Sequence, residues 1–501
     1  MSITDMTRQE GLLIGLDVGT SRAKAVLVSS SGQTIARATT PYRCVSITDT
    51  AIEQDAGEWW QVVCGLIRQL ADQVKPDQKI RALALSTQGG SLVMTDAGGE
   101  PLSPAITWQD QRGETMRPVV LSDYSNEQIH DKTGWQLGKG LNLLQILRVR
   151  ETDPVLFSRA RCFLSTSDFL ALKLTGRAAI DASNAGINQL LDITTKHWDP
   201  DLLRLTGLDA GHLADIIPSG TPVGRLLPEV SLDLGLDPDT MLVSGGHDQY
   251  CAALGAGAIH THDRLIGTGT AWVILEVAGQ AKAMQNRNKA ISHHVVPGLW
   301  GHLMSLPFGG AALEWIRSAL DLRDICGQRM PFTEIDRQIE PFVLDATRPF
   351  FYPYMQGCPY PPVVSPVYAA FARLMQHHDW RAMAASVLEG VVLQVCWMWD
   401  AYPDGKSETA YIMTGGASAS PLWRQMLANA LNQPVTIPEN PDIGCLGAAM
   451  LAGIGAGLFP DAPGAYAALS QASTTVRPDG ETRFFQERLR QYKQLQRQMF
   501  G

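Results

Sequence analysis

The stretch LLIGLDVGTSRAKAVLVSS, residues 12–30, decides the fold. Two apolar runs, residues 12–16 and 25–28, enclose a polar turn that contains an acid, a glycine, two hydroxyls and two bases. This order predicts a strand, a phosphate-sized turn and a returning strand. An ordinary hairpin with a solvated tip is the alternative interpretation.

The residue types of this turn suit a magnesium-bound phosphate. Gly19 lets the backbone approach a ligand, and Thr20 and Ser21 offer hydroxyls and amides to anionic oxygens. Arg22 or Lys24 can supply positive charge. Asp17, at the end of the first strand, suits a magnesium ion that keeps most of its water shell.

Bulk composition limits the classes of protein that are possible. A chain of 501 residues predicts two domains, and 45% hydrophobic with 18% charged residues is typical of a soluble globular protein. The net charge of −9 argues against nucleic-acid and anionic-membrane partners. We expect neither a secretory signal in the first ten residues nor an apolar stretch long enough to cross a bilayer. Eight scattered cysteines without a CxxC pair indicate reduced thiols in a cytoplasmic protein, without a disulfide framework or a zinc site.

Two strand ends in the first half carry polar groups suited to a sugar. A predicted strand at residues 79–85 ends on STQGGS, residues 86–91, and an apolar approach at 105–106 leads to Trp108 and Asp110. An aromatic ring beside amides and charges is typical of a sugar or polyol site. A core aromatic is the alternative for Trp108.

A second acid follows in the middle of the chain. The predicted strand 240–244 leads into GGHDQY, residues 245–250, and then a helix at 251–258, so Asp248 lies at the start of a helix. Helix-terminal amides stabilise a carboxylate there, although a plain N-cap satisfies the same pattern. Residues 264–277, RLIGTGTAWVILEV, repeat the opening theme and predict a duplicated architecture whose halves face each other across a cleft.

The remaining elements are predicted from periodicity and from turn residues. We expect a strand at 34–41, helices at 58–75, 141–150 and 168–174, and a loop at 181–186. Towards the end of the chain we expect a buried helix at 384–399, a strand at 411–414, and helices at 421–431 and 443–458. Glycine pairs at 309–310 and 415–416 precede helices and permit close approach of a flat ligand such as adenine.

Five motifs, in order and spacing, resemble the FGGY carbohydrate kinases: DVGTSRAK, GGHDQY, IGTGTAW, TGGASASPLWRQMLANAL and IGCLGAAMLAG. The similarity covers residues 12 to about 492. It implies an α/β chain with the two-domain actin-like, ribonuclease H-like ATPase fold and a catalytic cleft between the domains. It also implies transfer of the γ-phosphoryl group of ATP, with Mg²⁺, to a hydroxyl of a small carbohydrate, with a ketopentose of the xylulose or ribulose type expected.

The resemblance also implies roles for individual residues. Asp17 matches the metal-associated acid and Asp248 the general base, both counted as catalytic. The positions matching the phosphate loops and the nucleotide side are Thr20, Ser21, Lys24, Gly267, Thr268, Gly269, Gly310, Gly416, Ala417 and Ser420. The positions matching substrate contacts are Gln88, Gly89, Trp108, Asp110, Asp248 and Gln249.

The implied domain limits are residues 1–250, with the substrate site, the first phosphate loop and the base at its end, and residues 251–501, with the second phosphate loop and the adenosine site. We further expect Asp17 and Asp248 to converge from opposite lobes on one magnesium-bound triphosphate and its acceptor.

This chain departs from the family pattern at two places. Xylulokinases usually carry a Met-His pair, and glycerol kinases an Arg-Glu pair, where this chain has Gly89 and Gly90. The missing bulk predicts room for a larger or differently shaped substrate, or for a different hydroxyl pattern. His247 stands where the family more often has a small residue, and its role is left open.

Other functions on the same fold remain as alternatives. One is a kinase of a polyol or a non-sugar signalling polyol, and another is a non-catalytic actin-like nucleotide switch. A sugar-responsive regulator would need a DNA-binding segment, and only about eleven residues precede the first strand. A homodimer is a family-based expectation.

Overall fold

The chain folds into two compact units in a computed structural model, which describes residues 11–281, 289–361, 367–401 and 409–500. The first unit contains Met1–Ile259, Ala278–Gly301 and Asp442–Gln471. The second contains His260–Val277, His302–Pro441 and Ala472–Gly501. Two segments from the later half of the chain therefore pack with the first unit, and the units do not correspond to a single cut near residue 250.

The first unit is a mixed α/β structure. Its strands are β1 (Leu12–Val18), β2 (Arg22–Ser29), β3 (Thr34–Pro41), β4 (Val45–Ser46), β5 (Ile52–Gln54), β6 (Ile80–Thr87), β7 (Val93–Thr95), β8 (Ala105–Ile106), β9 (Cys162–Leu164), β10 (Ala179–Ile180), β11 (Leu191–Asp192), β12 (His197–Trp198), β13 (Asp215–Ile216), β14 (Pro222–Arg225), β15 (Met241–His247) and β18 (Ala290–His293). Its helices are α1 (Ala56–Ala71), α2 (Arg117–Asp123), α3 (Asn126–Thr133), α4 (Asn142–Thr152), α5 (Pro154–Arg159), α6 (Thr166–Thr175), α7 (Ala182–Ile187), α8 (Pro200–Thr206), α9 (Pro228–Asp233), α10 (Asp248–Ala256), α15 (Ile443–Gly455) and α16 (Ala462–Leu469).

Its central sheet has six strands in the order β14-β15-β6-β1-β2-β3. β1 pairs with β2 in the antiparallel sense and with β6 in the parallel sense, and β15 is parallel to β6. Because β1, β6 and β15 run in one direction, their carboxyl ends meet at one edge of the sheet. The predicted strand, turn and returning strand at residues 12–30 are confirmed.

The second unit is built around another sheet. Its strands are β16 (Arg264–Thr268), β17 (Trp272–Ala278), β19 (Trp300–Leu306), β20 (Phe350–Tyr352), β21 (Ala370–Ala372), β22 (Tyr411–Thr414), β23 (Val435–Pro438) and β24 (Ser473–Val476). Its helices are α11 (Gly310–Ala319), α12 (Phe332–Ile339), α13 (Trp380–Met398), α14 (Pro421–Leu431) and α17 (Thr482–Phe500). The main sheet runs β19-β17-β16-β22-β23-β24, and β16 is antiparallel to β17 and parallel to β22.

Small residues let α15 lie directly on α10 and β1 within the first unit. A Cβ atom at Gly447 would lie 1.9 Å from the carbonyl oxygen of Cys251, and one at Gly15 would lie 1.8 Å from that of Cys445. Real Cβ atoms do not approach so closely, so only glycine permits this spacing. The helix predicted at 443–458 is observed as α15, which ends at Gly455.

Two sequence-based expectations differ from the structure. Residues 181–186, expected to be a loop, include helix α7, because the Asp181 carboxylate caps the backbone N–H groups of Ser183 and Asn184. Among the described residues, α13 is long and apolar enough to cross a membrane by length and composition, contrary to the expectation that no such stretch exists. In this protein, 89% of that apolar window is buried inside the structure, as expected for a core helix.

Candidate active site

The carboxyl ends of three parallel strands bring the acids of the first unit to one edge of the sheet. Asp17 on β1 lies opposite Ser86 on β6, and Ser86 lies opposite Gly246 on β15. Neighbouring strands lie about 4.8 Å apart, so β1 and β15 are separated by about 10 Å. Asp248 follows β15 directly as the first residue of α10.

Asp17 carries a carboxylate that the protein leaves only partly stabilised. Ser86 Oγ donates a hydrogen bond to Asp17 Oδ1 over 2.6 Å. Burial, together with the negative charges of Asp248 and Asp442, raises the pKa of Asp17 to about 6. A bound cation would relieve this cost, because an opposite charge favours the ionised form. A single carboxylate with room for water fits a magnesium ion, which prefers oxygen ligands and keeps several waters.

Lys24 forms an ion pair with an acidic side chain of the same unit. Its Nζ lies 3.0 Å from Asp442 Oδ1, and it lowers the pKa of Asp17 by its charge. Its predicted contact with phosphate therefore requires the ammonium group to be shared with Asp442. Ser21 lies exposed at the tip of the turn and Thr20 is half-buried.

Asp248 is placed as a proton acceptor would be. Its side chain is 33% exposed, and the N-terminal amides of α10 favour its negative charge. The Nε2 atom of His247 lies 3.1 Å from Asp248 Oδ1. Asp17 and Asp248 both belong to the first unit, so the expectation that they come from opposite lobes is wrong.

A chain of hydrogen bonds connects the predicted substrate residues to the first phosphate loop. Trp108 Nε1 donates to Thr20 Oγ1 over 3.1 Å, and Gln54 Nε2 donates to the Thr20 carbonyl oxygen over 2.6 Å. Gln88 Nε2 donates in turn to Gln54 Oε1 over 2.9 Å. Gln88 Oε1 is buried and accepts no hydrogen bond from the described residues. The Trp108 side chain is 45% exposed, which leaves part of its ring open to a ligand.

The space at Gly89 and Gly90 is filled by neighbours. A Cβ at Gly89 would lie 2.4 Å from Ile187 Cδ1 and 2.9 Å from His247 Cδ2, and one at Gly90 would lie 2.8 Å from Leu141 Cδ2. The expected extra room for a larger substrate is therefore not found here, because side chains from elsewhere in the unit occupy it.

The Asp110 side chain stabilises its neighbours and is not exposed to a ligand. It is fully buried, and its carboxylate accepts hydrogen bonds from the backbone of Ile52 and from Arg112 and Gln145. No atom of Asp110 is accessible for the substrate contact that the sequence predicted. Gln249, the next residue after Asp248, is half-buried on α10.

The glycine loops of the second unit converge around the end of β16. A Cβ at Gly310, the first residue of α11, would lie 2.3 Å from the Gly269 carbonyl oxygen. Gly415 has φ +91°, and a Cβ there would lie 2.9 Å from the Thr268 backbone. Thr268 Oγ1 donates to the Thr414 carbonyl oxygen over 2.5 Å. The predicted nucleotide positions at 267–269, 310 and 416–417 therefore lie together within this unit.

Ser420 is the N-cap residue of α14. Its Oγ accepts a hydrogen bond from the backbone of Trp423 over 3.2 Å and caps the N-terminus of α14. Ala417 is buried in the turn before it.

Sequence reasoning missed several residues of the site. Ser86 could have been found, since it directly follows the strand predicted at 79–85, one of the two strand ends that the sequence associates with a ligand site. Gln54 and Asp442 carry no local signal, because their partners Gln88 and Lys24 are distant in the chain.

Comparisons with known proteins show the family of this chain. Residues 12–255 match the N-terminal domain and residues 265–456 the C-terminal domain of the FGGY family of carbohydrate kinases. Similar proteins include a gluconokinase of Bacillus subtilis, 25% identical over 449 residues, which cover 88% of this chain and 86% of the relative. A xylulose kinase of Escherichia coli is 28% identical over 89% of this chain and 90% of its own. An autoinducer-2 kinase of Yersinia pestis is 27% identical over 488 residues, 92% of this chain and 89% of its own.

The crystal structure of a ligand-bound xylulose kinase from Lactobacillus acidophilus is similar with a TM-score of 0.89 at 23% identity, and covers 98% of both chains. This likeness confirms the predicted α/β, two-domain actin-like ATPase fold.

Proposed function

Because this chain belongs to the FGGY family of carbohydrate kinases, which are ATP-dependent phosphotransferases acting on sugar hydroxyls, we propose that its acceptor is a ketopentose of the xylulose or ribulose type. The observation that carries the proposal is the pairing of an accessible carboxylate, Asp248, with an exposed indole, Trp108. A Cβ at Gly89 would lie 2.9 Å from His247 Cδ2, and one at the adjacent Gly90 would lie 3.3 Å from Trp108 Cβ, so His247 and Trp108 lie beside the same short stretch of backbone. The similarity to xylulose kinases supports the choice of a ketopentose.

Asp248 accepts the proton of the attacking hydroxyl. Phosphoryl transfer depends mainly on placing the acceptor oxygen in line with the γ-phosphorus, and the proton leaves late. The α10 N-terminus interacts favourably with the negative charge of the carboxylate. Trp108 offers an apolar ring face to the C–H groups of the sugar, and Gln88 Oε1 offers an acceptor to one of its hydroxyls.

Asp17 would hold the magnesium ion, which supplies positive charge to the phosphate oxygens when bound. In the first unit, Thr20 and Ser21 offer backbone amides to a phosphate. In the second unit, the glycine loops at 267–269, 310 and 416–417 offer backbone amides to a nucleotide. Glycine at these positions keeps the backbone uncovered.

The role of Asp248 is tested with Asp248→Asn, and Asp201→Asn is the matched control because it also removes a carboxylate from the first turn of a helix. In a coupled assay of ADP formation with D-xylulose and D-ribulose, Asp248→Asn should lose about 10²- to 10⁴-fold in kcat. ATP affinity should stay within about twofold, since the carboxylate acts on the acceptor. A turnover of Asp248→Asn within a few-fold of wild type would remove Asp248 from this role.

A second candidate acceptor is a signalling polyol, favoured by the match to autoinducer-2 kinases over 488 residues. The same assay with D-gluconate, glycerol and autoinducer-2 beside the ketopentoses separates the candidates by kcat/KM. A higher kcat/KM for any of these three than for D-xylulose and D-ribulose would refute the ketopentose proposal. ATP hydrolysis unaffected by every acceptor would instead favour the nucleotide switch.

A further inference from the structure

His247 lies against the proposed base with its ring held in place from several sides. Its backbone N–H donates to Ser183 Oγ over 2.9 Å, and Ser183 is itself held by the buried Asp181. The imidazole lies 5.8 Å, between ring centroids, from the ring of Tyr250. The side chain is only 11% exposed, so few other ring positions are available to it.

Gly89 makes room for this ring. A Cβ at Gly89 would lie 2.9 Å from His247 Cδ2 and 3.3 Å from Nε2, closer than ordinary van der Waals contact. Gly89 does not have a positive φ, so the backbone itself does not demand glycine here. The requirement for glycine is therefore the space taken by the imidazole and by Ile187.

The two ring nitrogens have different surroundings. Nε2 lies 3.1 Å from Asp248 Oδ1, close enough for an ion pair but not aligned as a hydrogen bond, and Nδ1 is buried without a hydrogen-bond partner among the described residues. In a neutral imidazole one nitrogen carries the proton, and a buried N–H without an acceptor is costly. The proton is therefore favoured on Nε2, the ring nitrogen that lies beside the carboxylate.

We propose that His247 is a positioning residue that holds the Asp248 carboxylate through Nε2–H, and that Gly89 leaves the space which the imidazole shares with Ile187. Contact at Oδ1 leaves Oδ2 as the oxygen that takes the proton of the acceptor hydroxyl. The inference rests on the proposed function of Asp248 as the base. The proposal assigns His247 to the same site, and this role needs a hydrogen-bond donor at Nε2 but no positive charge on the ring.

The test compares substitutions that keep or remove a donor at the position of Nε2. His247→Gln places an amide N–H there, and His247→Met has a similar length without a donor. With D-xylulose and MgATP we expect His247→Met to lose about 10- to 100-fold in kcat, the range for a misplaced reacting group. His247→Gln should recover most of this loss, while the KM for ATP stays within twofold in both. Equal kcat in Gln and Met variants would overturn the proposal, because a structural role depends on volume and not on a donor.

Gly89→Ala provides a second variant that leaves the imidazole in the chain. Its methyl group should displace the ring and lower kcat in the wild-type background, with a smaller loss in the His247→Met background, where the ring is absent. Additive losses in the two backgrounds would contradict the linkage between Gly89 and His247.

A measurement without turnover separates failure of this inference from failure of the proposed function. In nitrogen-15 NMR of histidine-labelled protein, His247 should show the tautomer protonated at Nε2, and Asp248→Asn should shift that resonance. A proton on Nδ1, or a resonance that Asp248→Asn does not change, would overturn the inference whatever sugar the protein phosphorylates. If the NMR result holds but Asp248→Asn keeps full kcat, the assignment of the base fails and the contact between the two side chains stands.

Discussion

Replacement of Asp17 by asparagine should make the first unit more stable, and increasingly so as pH rises. Burial raises the folded-state pKa of Asp17 from 3.8 to about 6, so the folded protein binds the proton more tightly than the unfolded chain does. The contribution of Asp17 to the free energy of unfolding is therefore fully present below pH 3.8 and is lost as the pH rises through 6. From these two values the penalty is about 2 kcal/mol at pH 5 and about 3 kcal/mol at pH 8.

Asp17→Asn removes this penalty and keeps an oxygen that can accept the hydrogen bond from Ser86. Its advantage in free energy of unfolding over wild type should therefore grow by about 1 kcal/mol between pH 5 and pH 8. Urea-dependent hydrogen exchange of the β1 and β6 amides reports on the first unit alone. Asp123→Asn, at an exposed position on α2, is the control and should show no such widening. The reasoning is refuted if Asp17→Asn is no more stable than wild type at pH 8, or if the gap stays constant with pH.

Two further substitutions test the packing of each unit. Gly447→Ala places a methyl group 1.9 Å from the Cys251 carbonyl oxygen and should lower the free energy of unfolding by about 3 kcal/mol. Gly65→Ala is the control inside α1, where the added Cβ meets no atom of another element within 4 Å, and it should raise that free energy by up to about 1 kcal/mol. Urea denaturation should show changes of opposite sign, and equal changes would contradict the close approach of α15 and α10. Glu389→Gln leaves the buried guanidinium groups of Arg348 and Arg488 without their carboxylate, from which they lie 2.9 Å and 2.6 Å, and should cost about 3–5 kcal/mol. Glu487→Gln, which removes an exposed partner of Arg490 on α17, should leave the thermal midpoint unchanged, and a similar fall in both variants would show that burial is not the cause.

Local patterns predicted much of the fold because strands and helices of this chain carry their own periodicity and turn residues. The predicted strands 34–41 and 411–414 and the helix 421–431 coincide with β3, β22 and α14. The loop expected at 181–186 is a helix because its Asp, Ser and Asn residues satisfy the backbone as a cap, which composition alone does not distinguish from a turn.

Long-range contacts account for what the sequence could not predict. Lys24 pairs with Asp442, 418 residues away, so its predicted place in the phosphate loop omitted its acidic partner. Gly89 and Gly90 predict extra room for a substrate, because the sequence does not show which distant side chain fills the volume beside a glycine. Asp110 and Trp108 are close in sequence and are both predicted to contact the substrate, but Asp110 faces the core and Trp108 is exposed to solvent.

Two aspartates of the first unit show how the structure separates a supporting acid from a functional one. Asp181 is buried and accepts hydrogen bonds from the backbone of Ser183 and from the backbone and side chain of Asn184, so its charge is shared among fixed donors. Asp17 accepts one described hydrogen bond, from Ser86, and lies near two further acids that raise its pKa. A carboxylate that folding leaves under-stabilised gains most from a cation, since the cation removes a cost already present. The under-stabilised Asp17, the unsatisfied Gln88 Oε1 and the accessible Asp248 lie at the carboxyl ends of adjacent strands, which is why this edge of the sheet, and not the Asp181 cap behind it, is expected to bind ligands.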